Sequence, residues 1–264
     1  MRGIDVYKVD INCDMGEIFG LYEQGNDEEM MKYITSTNIA CGFHAGDPHV
    51  MRKTVEMAKS YNVGIGVHPG FPDLLGFGRR AMACTPSEIK DYIIYQMGAL
   101  REFAKSFDVK LQHCKPHGAL YMRAMEDKQV ARAILEAIHA VSKDMIVFAF
   151  NNSEFMEEAI KMGIPVAKEA YSDREHTENG SIILTRKGPE IKDYVAMADR
   201  VVRMIKDKKV ITHDGKEVSI EADTICIHGD TPGAPKLARA IVDACNKNGI
   251  QILPINEILK LNKG

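Results

Sequence analysis

Short runs of β-branched and apolar residues alternate along this chain with longer stretches whose apolar residues recur at i, i+3 and i+4. That alternation is the pattern of a parallel sheet with crossover helices. Strands are predicted over Val6–Cys13, Thr35–Cys41, Val63–Val67, Lys110–Cys114, Met145–Phe150, Pro165–Ala170 and Thr224–Ile227, with Ile250–Ile255 as a candidate eighth. Helical spacing covers His49–Ser60, Pro86–Phe107, Lys128–Val141, Glu154–Lys161, Tyr194–Lys206 and Pro235–Asn246, and Thr85-Pro86 reads as an N-cap followed by a first-turn proline. Lys209–Glu221 departs from the rule. It alternates apolar and polar residues around Asp214-Gly215, which predicts a two-stranded hairpin.

No Pro/Gly/Ser-rich linker or short repeat interrupts the alternation, so residues 1–264 read as one α/β domain. Seven or eight β/α units over that length suit a closed TIM-like barrel better than a doubly wound sheet. With 45% hydrophobic and 27% charged residues the chain has ample core, which excludes a disordered or fibrous protein. The 34 basic and 37 acidic side chains give a formal charge of -3 without long runs of one sign, so no nucleic-acid footprint is present. Charged and amide residues from Asp5 to Glu17 break up any leader-like apolar stretch, and no run approaches the ~18 apolar residues of a membrane span. A cytoplasmic chain is expected. Its six cysteines form no C-x-x-C pair and read as reduced, buried thiols.

Uncommon polar residues gather at the ends of the predicted strands. The clusters are Asn12-Cys13-Asp14-Met15-Gly16-Glu17, the stretch Asn38–Asp47 containing His44, His68-Pro69-Gly70, Lys115-Pro116-His117-Gly118, Asp173-Arg174 and His228-Gly229-Asp230. In a parallel α/β fold strand C-termini share one face, where barrel active sites lie. One histidine at a strand end is more often structural, but four of them, with Asp14, Asp47 and Asp230, point to a convergent site.

Imidazoles and a carboxylate from separate strands could hold a hydrolytic divalent metal, although no H-E-x-x-H or H-x-H spacing marks one. The P-loop signature is absent, and Gly64-Ile65-Gly66 lacks the third glycine of a dinucleotide fingerprint. Gly76-Phe77-Gly78-Arg79-Arg80 presents two guanidiniums behind glycines, either of which could clamp an anion.

Asn12–Glu17, Asn-Ile-Ala-Cys-Gly-Phe-His-Ala-Gly-Asp at Asn38–Asp47, Gly76–Arg80, Lys115-Pro116-His117-Gly118-Ala119-Leu120-Tyr121, Asp173-Arg174 and His228-Gly229-Asp230-Thr231-Pro232-Gly233 resemble the LamB/YcsF family over nearly the whole chain. The resemblance implies a distorted seven-stranded (β/α) barrel of the glycoside hydrolase/deacetylase kind. It further implies ATP-dependent opening of 5-oxo-L-proline to L-glutamate, with release of ADP and phosphate, alongside two partner subunits, B and C, that bind much of the nucleotide. The chain departs from the family pattern at Ile18 and over Glu175–Arg186.

Lactam opening requires an activated carbonyl, a delivered water and a protonated leaving amine. Asp14 and His44 are expected to activate water directly or through a metal held by Asp14, His44 and His117. His117, or His228 with Asp230, is expected to supply the acid and its orienting carboxylate. Glu17, His68, Arg79, Lys115, Asp173 and Arg174 are expected to bind substrate. The alternatives are a metal-dependent deacetylase acting alone on an N-acyl sugar and a non-catalytic assembly subunit.

Overall fold

Asp10, Asn12 and Asp14 alternate with Val9, Ile11 and Cys13 along β1 (Lys8–Met15), and both sets are buried. The polar set points into the ring of strands: Asn12 Nδ2 donates to Glu169 Oε1 of a strand two places away, at 3.1 Å. The apolar set meets the surrounding helices. The computed structural model describes residues 6–20, 26–185, 191 and 193–261.

Six more parallel strands follow: β2 (Ser36–Ala40), β3 (Gly64–His68), β4 (Leu111–Cys114), β5 (Ile146–Phe150), β6 (Val166–Tyr171) and, after a two-stranded excursion of β7 (Lys209–Ile211) and β8 (Glu217–Ser219), β9 (Thr224–His228). Each pairs with the next, and β9 pairs with both β6 and β1, closing a seven-stranded parallel barrel. The closing register sets Asp14 opposite His228. The hairpin forms where Asp214-Gly215 predicts it, with Gly215 at φ +83°.

Helices cover the barrel: α1 (Asp27–Met30), α2 (Pro48–Ser60), α3 (Pro86–Ser106), α4 (Gly118–Glu126), α5 (Lys128–Val141), α6 (Glu154–Lys161), α7 (Tyr194–Lys206), α8 (Ala234–Lys247) and α9 (Ile255–Leu261). Thr85 caps α3 in a capping box with Glu88. Ile255 and Ile258 of α9 pack on Ile146, Phe148 and Ala167, near the starts of β5 and β6 and remote from the strand C-termini.

Three readings need correction. β1 runs two residues beyond Cys13, because Asp14 is a strand residue facing inward rather than the start of a loop. The eighth run shrinks to β10 (Gln251–Ile252), which pairs with Lys8 and Val9 outside the closed ring, and Ile255 already belongs to a helix. α1, α4 and α9 were not foreseen: each is short, and α4 starts after His117 with no side-chain cap. All six cysteines are free and buried. Among the described residues no helix is long and apolar enough to cross a membrane.

Candidate active site

The C-terminal ends of the strands bring all eleven sequence-predicted site residues to one end of the barrel. Asp14 is the penultimate residue of β1, with Glu17 just beyond its end; His44 follows β2; His68 ends β3; Lys115 and His117 follow β4; Asp173 and Arg174 follow β6; His228 ends β9, with Asp230 after it. Arg79 reaches in from the β3–α3 loop. A cavity lined by Asp14, His68, Arg79, Lys115, Arg174 and His228 lies among them, bordered on one side by Ile182 and Leu184.

Asp14 is the electrostatic centre. Its Oδ1 accepts from Lys115 Nζ at 2.9 Å and from Asn38 Nδ2 at 2.8 Å, while Oδ2 lies 3.4 Å from His68 Nε2 and 4.0 Å from His228 Nε2. Burial disfavours its charge, but His68 and then Lys115 outweigh that and hold the carboxyl well below the usual carboxylate range. Lys115 is equally enclosed: its ammonium reaches Glu169 Oε1 at 3.1 Å and Cys226 Sγ at 3.0 Å. Burial works against that charge, and Asp14, followed by Cys226 and Glu169, nevertheless keeps Lys115 well above the ordinary lysine value. Lys115 therefore faces the chain's own carboxylates, where sequence reasoning expected it to hold a substrate anion.

His228 donates from Nδ1 to Asp173 Oδ1 at 2.9 Å, which in the neutral ring leaves Nε2, turned toward Asp14, with the lone pair. Asp173 Oδ2 accepts from Arg174 Nη1 at 2.8 Å, Thr231 Oγ1 at 2.7 Å and the His228 backbone N–H at 3.3 Å. Burial pushes Asp173 up, but His228 and Arg174 hold it low. Sequence reasoning named Asp230 as the carboxylate for this imidazole; in the structure Asp173 occupies that position. Asp230 instead accepts from Arg79 Nη2 at 3.0 Å. Among the described residues its Oδ1 has no hydrogen-bond partner; it lies 3.7 Å from Arg174 Nη2, which likewise has none there.

A second group forms on the β2, β3 and β4 side. Glu17 Oε1 stands 3.2 Å from both His44 Nε2 and His117 Nδ1, and 3.7 Å from His68 Nε2. The His44 and His117 rings stack at 3.7 Å between centroids, 3° from parallel. Burial, then the neighbouring His117, pushes His44 down to about 3; burial lowers His117 as well. Gly78, at φ +61°, makes this possible, because a Cβ there would fall 2.7 Å from His44 Cβ and 2.8 Å from His117 Cδ2.

Two conspicuous groups serve the scaffold. Asp47 caps α2 by accepting from the His49 and Val50 N–H groups, and Arg80 is engaged by Asp73. Sequence reasoning missed Glu169, Cys226 and Tyr171, which are buried inside strands around Lys115. Their only trace in the sequence is a carboxylate in the middle of the run Val166–Tyr171. Arg186, the end of the divergent Glu175–Arg186 loop, lies outside the described residues.

The model of the LamB/YcsF family matches residues 9–260. A protein of Pyrococcus horikoshii named as the A component of 5-oxoprolinase is 46% identical over 254 residues, 96% of this chain and 100% of that one. One of the same name from Clostridium beijerinckii is also 46% identical over 254 residues, with the same coverage. Among solved structures, the lactam utilization protein of Thermus thermophilus superposes with a TM-score of 0.87 at 40% identity, covering 94% of this chain and 99% of that one.

Proposed function

Because the chain belongs to the LamB/YcsF family, we propose that it is the A component of an ATP-dependent 5-oxoprolinase: with subunits B and C it opens 5-oxo-L-proline to L-glutamate as ATP becomes ADP and phosphate. The observation that carries this reading is the end-to-end match to relatives named for that component. Residues 1–264 act as one barrel domain of a cytoplasmic assembly, and the partners supply most of the nucleotide contacts.

The site suits the hydrolytic half of such a reaction. The lactam is a resonance-stabilised amide, and transfer of a phosphoryl group to its oxygen makes C5 electrophilic. His228, its tautomer fixed by Asp173, takes a proton from water at Nε2 as the water oxygen bonds to C5. The C5–N bond then breaks as the imidazolium returns its proton to the departing amine, which leaves the γ-acyl phosphate of glutamate, and a second water cleaves that acyl phosphate to the free carboxylate and phosphate. Lys115 and Asp14 form a fixed charge pair that orients the water beside them. Arg174 Nη2 is a donor available to the substrate carboxylate. Ile182 and Leu184 border the cavity, so side-chain movement there admits the ring.

The test is glutamate and ADP formation from 5-oxoproline and ATP by the chain alone and with subunits B and C. Turnover only with all three supports the reading. Hydrolysis of N-acyl sugars by the chain alone, without ATP, replaces it with a stand-alone amidohydrolase. Undiminished turnover after His228→Ala gives the chain a non-catalytic role in assembly.

A further inference from the structure

Two backbone carbonyls fix the state of two facing histidines. His68 Nδ1 donates to the Lys115 carbonyl at 2.7 Å, and His117 Nε2 donates to the Phe77 carbonyl at 2.8 Å. A carbonyl can only accept, so each of these nitrogens carries the hydrogen. In the neutral rings, His68 Nε2 and His117 Nδ1 are left with lone pairs, and they face one another at 2.9 Å. Glu17 Oε1 and His44 Nε2 turn to the same point, so that four ligand atoms lie within 4.8 Å of one another. Converging lone pairs and a carboxylate oxygen require a positive charge among them, and one proton can bridge only one pair of these atoms.

We propose that Glu17, His44, His68 and His117 form a divalent-metal site of the zinc class. A tetrahedral ion with bonds of about 2.0–2.2 Å sets its ligands roughly 3.4 Å apart; four of the six separations here run from 2.9 to 3.7 Å, and all six lie within 4.8 Å. Three imidazoles and one carboxylate select zinc or a related transition ion over magnesium or calcium, which take oxygen ligands. The outward hydrogen bonds of His68 and His117 to carbonyls are the support that metal-bound imidazoles use to fix ring orientation. His44 lacks that support. Its Nδ1 is buried with no hydrogen-bond partner among the described residues, which makes it the least firmly held of the three imidazoles.

Another set within reach, Asp14, Cys226 and His228, is a poorer candidate. The Lys115 ammonium already lies 2.9 Å from Asp14 Oδ1 and 3.0 Å from Cys226 Sγ, so a cation occupies that position.

The metal site stands on geometry alone and is tested on the isolated full chain without substrate, so its failure leaves the proposed reaction untouched. Chelator-treated protein is titrated with Zn²⁺ by calorimetry and with Co²⁺ by visible absorption, which reports four-coordinate cobalt directly. The expected result is one ion per chain, intense cobalt bands, and affinity lowered roughly 100-fold by His68→Ala or His117→Ala while His228→Ala leaves it unchanged. Glu17→Gln, which keeps the shape of the side chain, should weaken zinc binding in a protein that still folds. Absence of stoichiometric zinc and cobalt binding by the unaltered chain overturns the proposal. So does binding that survives all three substitutions, or nitrogen NMR showing a doubly protonated imidazolium at His68 or His117 in place of a bound ion.

Discussion

Asp173 holds His228 Nδ1 with one oxygen and collects three donors, from Arg174, Thr231 and the His228 backbone, with the other. The two oxygens thus have different roles, and that asymmetry decides which isosteric replacement disables the imidazole.

In Asp173→Asn the single amide oxygen is required by the three donors, which turns the amide NH₂ toward His228. Nδ1 must then accept, the hydrogen moves to Nε2, and the general base is lost. The expected outcome is a fall in kcat of about 10³-fold in the complete complex with B and C. Steady-state kinetics check it, and a fall of less than tenfold would falsify the assignment of His228 as base.

Lys115 is the buried cation between Asp14 and Glu169. Lys115→Met leaves both carboxylates enclosed without it and should cost about 3–5 kcal/mol of folding stability. The double variant Lys115→Met/Glu169→Gln should recover part of that loss. Urea unfolding of both proteins measures it; equal midpoints for the single variant and the unaltered chain would show that the pair is not needed for stability.

Gly66 of β3 makes room for a ring. A Cβ at that position would fall on the His113 imidazole, and His113 is held by Asn38 at 2.8 Å and stacked on Phe148 at 4.2 Å. Gly66→Ala is expected to destabilise the fold by about 2–3 kcal/mol through overpacking. Gly98→Ala on the outer helix α3, where nothing lies within 4 Å, is the matched control and should be neutral or slightly stabilising. Thermal unfolding of the two variants side by side measures the difference.

Burial raises the Asp10 carboxyl to about 6, against hydrogen bonds from Thr224, Thr35 and Ser36 that lower it. Between the ordinary aspartate value and about 6 the folded chain keeps a proton that the unfolded chain has released, so stability falls as pH rises through that window and levels off above it. From about pH 4 to about pH 7 the loss is about 2 kcal/mol. Asp10→Asn removes it. Unfolding free energies of the two proteins should diverge across this range, and parallel pH curves would contradict the raised value.

The strand ends were legible in the sequence because uncommon polar residues there follow apolar runs and stand within two positions of Gly or Pro. Asp14, His44, His68, His117 and His228 all declared themselves in this way, and so did the barrel itself, through the β/α period. The partners of those residues did not. Glu169 and His113 lie mid-strand, where a polar side chain gives no positional signal, and only closure of the ring reveals that inward faces meet one another. Pairing was hidden for the same reason. Asp173 and Asp230 look equivalent in the sequence, yet only the register of β6 against β9 brings Asp173 to His228. The short helix α4 escaped because its first residue, Gly118 at φ +50°, carries turn chemistry rather than a helix signal.

The seam between β1 and β9 has a consequence for the order in which the molecule can be made. Asn12 donates to Thr224, 212 positions along the chain, and Thr224 in turn donates to Asp10. As the chain leaves the ribosome, the first strand finds partners on Thr35, Ser36 and Asn38 early, but Asn12 must wait for Glu169 and for Thr224 of almost the last strand. A truncated or stalled product therefore exposes an unclosed edge and leaves Asp10 with Thr35 and Ser36 but without Thr224, and only a nearly complete chain can assemble Asp14 opposite His228.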